Sequence, residues 1–265
     1  MRSNYLFVLV FSFLVGGEGA AQALSTIDSL KAEMAGKHDG EKYIRNSFLL
    51  ADEYMEIDEY DSAQLWLNRI AEQLPLKKPS LFNYFLSSRQ AEVYYYNSLQ
   101  RLGLQEAKRA LSIANVLQDS LFLADSYNFI GLFYINLDSA GSAIASFKRG
   151  IAFSRPPPYP AHYLSLSLPH HLYGNLSEAF EKLNRMDSVI HYSRRSLQEA
   201  KAVGAGRGIA LAENSLGLAF LKLQQRDSAL DHLTASLAIA SRTDNADVSL
   251  VNYSGLALTY DPVDR

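Results

Sequence analysis

The chain has 265 residues, 48% of them apolar and 20% charged, with a net charge of −3. That composition excludes global disorder and the strongly basic footprint of a nucleic-acid binder. Cysteine is absent, which excludes thiol catalysis, cysteine-ligated zinc and disulfide staples.

Residues 1–23 read as a secretory signal. Arg2 supplies the positive start, and the apolar run from Tyr5 to Val15, 11 residues, is too short to span a bilayer as a helix. Ala21 and Ala23 satisfy the small-x-small rule and put cleavage before Leu24, with Gly19-Ala20-Ala21 as a second site. The alternative is an uncleaved anchor. No membrane span is expected after cleavage, and the expected location is an exported space, most simply the periplasm of a Gram-negative bacterium. Residues 24–42 follow as a capping segment: Leu24 to Met34 form a helix that Gly36 to Gly40 breaks.

From residue 43 onward the chain repeats itself about every 40 residues. A small residue recurs at Ala51, Ala91, Gly131, Ser177, Gly217 and Gly255. Three positions later stand Tyr54, Tyr94, Tyr134, Phe180, Phe220 and Leu258, and twelve positions later Ala63, Gly103, Ala143, Val189 and Ala229. This is helix–turn–helix spacing. The small residue lets two helices approach, the aromatic fills the gap, and the second small or branched residue marks the crossing. A hairpin this short cannot bury its apolar face alone and must stack on copies of itself.

The pattern resembles the tetratricopeptide repeat (TPR) family over roughly residues 44–260. The resemblance implies an all-α, right-handed superhelical solenoid of about five and a half helical hairpins. The array would fill residues 43–265, with units near 44–83, 84–123, 124–161, 162–209 and 210–247 and a partial unit at 248–260. The chain departs from the family in three respects. The helix-ending proline occurs only as Pro75 and, one position late, Pro156. The first-helix Trp is missing, and the units exceed the usual length of about 34 residues.

Local signals refine the units. Asp61-Ser62, Asp187-Ser188 and Asp227-Ser228 are expected to cap second helices, with Gly103 and Gly141 at similar turns. Six Asp-Ser pairs followed by a small or branched apolar residue, from Asp28 to Asp227, also resemble the acceptor motif of a bacterial O-glycosylation system, although capping accounts for them equally well. Consecutive prolines in residues 154–161 interrupt the array as a rigid spacer, or as a bend or docking loop that exposes Tyr159. The last helix carries Leu250, Val251, Tyr253, Leu256, Leu258 and Tyr260, so either a partner or a continuation of the chain is expected to cover it.

Nothing in the sequence points to an enzyme or a cofactor. His170 and His171 point about 100° apart on a helix and share one metal poorly. Asp52, Glu53, Glu56, Asp58 and Glu59 read as a solvated face. Gly204 to Gly208 lacks the lysine and strand of a phosphate loop. The candidate binding residues are different. Tyr95 and Tyr96 follow the packing position Tyr94, and Asn128, Asn175, Asn214 and Asn252 stand two or three residues before the small residue of their repeats. Resemblance to peptide-binding family members puts these on the concave groove, as aromatic anchors and as amides for an extended backbone. The bland alternatives are inter-helix filling for the tyrosines and local helix hydrogen bonding for the asparagines. Exported arrays with units of this length also resemble the sensor regions of bacterial signalling proteins. A structural scaffold of the cell envelope is the alternative.

Overall fold

The computed structural model describes residues 17–36, 40–74, 79–160, 162–242 and 246–260. Most of the expected signal segment, and Pro75, lie outside these residues. Within them the chain is all-α, with twelve helices and no strand. After α1 (Gly17–Met34) come five hairpins: α2 (Glu41–Glu56) with α3 (Tyr60–Gln73), α4 (Leu81–Tyr96) with α5 (Gln100–Leu117), α6 (Ser120–Asn136) with α7 (Ala140–Phe153), α8 (Pro169–Lys182) with α9 (Met186–Ala202), and α10 (Gly206–Lys222) with α11 (Arg226–Arg242). Helix α12 (Ala246–Tyr260) begins a sixth. Each helix packs on the next, and the first helices of successive hairpins also touch, giving a TPR-like superhelix.

The hairpins close through size-matched pairs sixteen residues apart. The Gly131 backbone lies under the Phe147 ring so closely that a Cβ there would overlap it, and a Cβ on Gly217 would stand 2.6 Å from Leu233. In the fourth hairpin Ser177 takes the small position, and its Oγ bonds Ser193 Oγ at 2.7 Å. The second hairpin pairs Ala91 with Ala107. The space this leaves is filled by Phe133 of the following hairpin, packed over Gly103. Gly103 therefore lies inside α5 as a packing residue and does not form a turn.

One turn recurs five times. Asp58, Ser98, Asp138, Asn184 and Gln224 adopt φ between 53° and 61°. Each follows a first helix, and its N–H bonds back three residues, as Asp58 to Met55. The next N–H reaches back five, to the carbonyls of Tyr54, Tyr94, Tyr134, Phe180 and Phe220. This is the Schellman geometry, which satisfies carbonyls left open at a helix end. The repeated aromatic thus packs with its ring and anchors the turn with its carbonyl.

The expected caps on second helices are displaced. Asp61, Asp187 and Asp227 lie within the first turns of α3, α9 and α11, where a carboxylate meets the positive helix end without capping it. Side-chain caps stand instead before first helices: Ser80 accepts from the Asn83 N–H, and Asp119 from the Leu121 and Phe122 N–H groups at 2.9 and 3.2 Å.

Residues 154–168 do more than separate two halves of the array. The prolines end α7 at Phe153, because a residue before proline leaves the helical region. The segment then folds back over the first three hairpins. Leu164 and Leu166 are buried in the core of these hairpins, beside Phe85 and Phe122, with Tyr159 and Tyr163 packed on it. Tyr159 is half-buried. Arg45 donates to the His162 carbonyl at 2.8 Å, and Tyr163 to the capping carboxylate of Asp119. Pro169 then opens α8 at a position where its missing N–H costs nothing.

At the start of the array, α1 lays Ile27 and Met34 against Tyr43 and Leu50 of α2. Ala23 is also buried. Among the described residues, no helix is long and apolar enough to cross a membrane.

A cleft on the concave face

First helices face the inside of the superhelix, and a cleft of about 160 Å³ opens there across four of them. Its walls are Asp52 and Glu56 of α2, Arg89, Glu92, Tyr95 and Tyr96 of α4, Phe129 and Leu132 of α6, and Asn175 of α8, closed on one side by Ser165 to Ser167 of the folded-back segment. The tyrosines form an aromatic wall. Tyr96 stacks on Tyr60 at 5.0 Å between centroids, Tyr95 meets Tyr96 edge-on at 5.6 Å, and Tyr95 rests against Phe133.

Arg89 organises the charges. Its guanidinium is almost wholly buried, ion-paired with Asp52 and with Glu92, and donates to the Ser165 carbonyl at 2.8 Å. Burial opposes its charge, but Asp52 and Glu92 outweigh that and raise its pKa. Burial lifts the Glu92 carboxyl to about 7 against the pull of Arg89. It also lifts Glu56 to about 7, with Asp52 and Glu53 adding to the rise. The acidic cluster of α2 is therefore not simply a solvated face. The superhelix turns Asp52 and Glu56 inward, into the cleft.

A second network runs beside it. Asn175 donates to Asn128 at 2.9 Å, Asn128 to Ser167 Oγ at 3.0 Å, and Ser167 Oγ to Asp125 at 2.7 Å. Tyr84 and Ser88 donate to the other oxygen of Asp125 at 2.7 and 3.0 Å, and the Ser167 N–H completes its shell. A buried carboxylate with this many donors is held as a fixed acceptor. Asn214 and Asn252 lie elsewhere: Asn214 donates to Asn252 at 2.8 Å, and Asn252 to Ser236 Oγ at 2.7 Å. The four asparagines are thus placed as inter-repeat ties. Asn128 and Asn175 border the cleft together with Tyr95 and Tyr96, while Asn214 and Asn252 link α10 to α12 away from it. A ligand backbone at any of these amides would compete with a bond already made.

Sequence reasoning singled out neither Arg89 nor Asp125. Their signal was isolation. Asp125 is the one charged residue in α6, and Arg89 and Glu92 are the only charges in α4. A lone charge in an apolar helix needs a buried partner.

A smaller cavity of about 50 Å³ adjoins the cleft, sharing His171 and Asn175 with it and adding His170, Glu178, Arg207 and Leu211. Burial lowers His170 to about 4, and burial with its neighbour lowers His171 to about 3, so both rings are neutral at pH 7. Their centroids are 4.0 Å apart. Among the described residues, no three His, Asp or Glu side chains gather as a metal-ligand set.

The comparisons with known proteins agree with this architecture. Residues 124–155, the third hairpin, match the family model of the tetratricopeptide repeat. Among curated proteins no sequence relative matches. Several solved structures share the fold. A thermophilic TPR protein of Thermus thermophilus aligns with a TM-score of 0.61 and 15% identity over 81% of this chain and 99% of its own. PilW, a type IV pilus biogenesis factor, aligns at 0.56 and 20% identity over 84% and 97%. A signal-transduction ATPase with a tetratricopeptide repeat sensor, from Pyrococcus horikoshii, aligns at 0.64 and 18% identity over 91% of this chain but only 38% of that one. Such identities speak to the fold alone: a TPR-like array.

Proposed function

We propose that the chain is an exported, non-enzymatic scaffold that holds a protein or peptide segment on its concave face, as the sensor-type array of a signalling protein. The observation that carries this reading is the cleft itself. First helices of four consecutive hairpins converge on it, and they leave the Tyr95, Tyr96 and Phe129 side chains only half-buried. Aromatic side chains with few rotors supply contact area at low entropic cost, and a cleft spanning several repeats suits an extended occupant. The sensor role draws on the exported reading of residues 1–23 and on the neighbour whose name includes a tetratricopeptide repeat sensor. The alternative, an assembly scaffold of the cell envelope, draws on α12, where Leu250, Tyr253 and Leu258 are exposed.

The two readings part in a pull-down from the native envelope fraction. The wild-type chain is compared with Tyr95→Ala/Tyr96→Ala in the cleft and with Leu250→Ser/Tyr253→Ser on α12, each checked for a native melting transition. Loss of a recovered protein with the cleft variant alone supports a concave-face scaffold. Loss with the α12 variant alone supports the assembly reading.

A further inference from the structure

We propose that the cleft takes the cationic side chain of a lysine- or arginine-bearing extended segment, with the charged end between Glu56 and Glu92 and the stem against Tyr95 and Tyr96. This rests on the reading of the concave face as the binding surface and adds the chemistry of the occupant.

The first observation is the segregation of charge between the two faces of the solenoid. The first helices α2, α4, α6, α8 and α10 carry 6 Lys or Arg against 9 Asp or Glu. The second helices α3, α5, α7, α9 and α11 carry 11 against 7. The first helices, which line the concave face, are therefore net negative and the second helices net positive, although the chain as a whole is close to neutral. A potential of this kind favours a positive occupant inside the curve and disfavours a negative one.

The second observation is the state of the cleft carboxylates. Among the described residues, Arg89 is the one guanidinium lining the cleft, and it is engaged by Asp52, Glu92 and the Ser165 carbonyl. Asp125 is saturated by its donors. One turn from Asp52, Glu56 brings the carboxyl groups lining the cleft to four, with Arg89 and, from the adjoining cavity, Arg207 as the cations that draw on it. An incoming ammonium or guanidinium relieves this repulsion between carboxylates, and the aromatic wall beside it adds cation–π attraction.

The third observation is independent of charge. His170, 4% exposed, lines the cavity that shares His171 and Asn175 with the cleft, and among the described residues its Nδ1 has no hydrogen-bond partner. A buried polar atom left unsatisfied costs about 1–3 kcal/mol. A turn of the ring toward the cavity it lines would let a peptide group of an extended segment complete it. The cleft and this cavity share His171 and Asn175 in their linings, so the proposed cation site, at the α2–α4 end of the cleft, has the cavity beside its α8 end.

The test uses the whole chain and two fluorophore-labelled peptides. One is acetyl-Ala-Arg-Ala-Arg-Ala-Arg-Ala-amide. The other carries citrulline, neutral and of the same shape, at each arginine. Binding is read by anisotropy at low and high salt and mapped by hydrogen exchange. The expected result is affinity for the arginine peptide about tenfold above that for the citrulline peptide, falling with salt, and reduced about tenfold in Glu56→Gln. Glu72→Gln on the exposed face of α3 should change nothing. Gln is isosteric with a protonated carboxyl, so Glu56→Gln is expected to fold, and the salt series tests the charge without any variant. Equal binding of both peptides in the cleft overturns the cation preference and leaves the concave-face reading standing. Arginine-peptide binding that is indifferent to Glu56→Gln, or that maps to second helices, also overturns it. If neither peptide binds, both the inference and the peptide-binding form of the concave-face reading fall.

Discussion

Arg89 and Ser165 stand 76 residues apart in the chain, yet the Arg89 guanidinium donates to the Ser165 carbonyl at 2.8 Å. This bond ties the folded-back segment to the second hairpin and forms one wall of the cleft. Arg89→Met should therefore do two things. It leaves Asp52, Glu92 and the Ser165 carbonyl without their shared donor, a loss of about 3 kcal/mol or more. It also speeds amide exchange at residues 163–167 more than in α9 or α11. Exchange followed by mass spectrometry checks this, and uniform acceleration across the chain would contradict it.

Close approach of the hairpin helices is a matter of single methyl groups. Gly131→Ala and Gly217→Ala each place a Cβ into Phe147 or Leu233, and each should lower the urea midpoint by an amount equivalent to about 1–3 kcal/mol. Gly141, inside α7, has open space around its missing Cβ. Gly141→Ala should stabilise by about 0.5–1 kcal/mol, because only the backbone entropy term remains.

The five left-handed turn residues invite glycine. Gln224 and Ser98 hold φ of 60° and 57°, a region that costs residues with a side chain about 1–2 kcal/mol. After the larger unfolded-state entropy of glycine is subtracted, Gln224→Gly and Ser98→Gly should each raise stability by about 0.5–1 kcal/mol. Asp58, Asp138 and Asn184 should gain less, since Asp and Asn tolerate this region better. Thermal melts of the five single variants give the order.

Stability should depend on pH through buried groups of both kinds. Burial raises Glu178 to about 7 against the pull of Lys182, so the folded state favours its neutral form. Its contribution is fully present below the ordinary carboxyl value of about 4.5 and is lost as pH rises through 7. Glu178→Gln should therefore match the wild-type melting temperature at pH 4 and exceed it at pH 8. His170 and His171 work in the opposite direction. Their lowered values favour the neutral ring, so their contribution is present above 6.5 and is lost as pH falls toward 4 and 3. A melting curve measured from pH 3 to 9 on both proteins checks the signs.

The repeat was legible because hairpin packing constrains residue size at fixed spacing. Ala51, Ala91, Gly131, Ser177 and Gly217 all recur where the second helix crosses. The turns were less so. Asp, Ser, Asn and Gln in the left-handed positions resemble ordinary polar loop residues, and the neighbouring Asp-Ser pairs drew attention to the wrong helix position. The cleft was half legible. Tyr95, Tyr96, Asn128 and Asn175 follow from the register of first helices, and all four border it. What a single sequence hides is pairing over distance. The partner of Asn128 is Ser167, and the partners of Asp125 lie on α4 and in the Pro-rich segment. No local pattern joins residues about 40 positions apart in chains whose insertions change the spacing. The core position of Leu164 and Leu166 was hidden for the same reason, since prolines announce an end of helix but not where the chain goes next.

The most direct test of the concave-face account is hydrogen exchange on the complex with a partner recovered from the envelope fraction. The account predicts new protection at the inward ends of α2, α4 and α6, around Glu56, Tyr95, Tyr96 and Phe129, with α5, α7 and α9 unchanged. Protection confined to the second helices, or to α12, would contradict it.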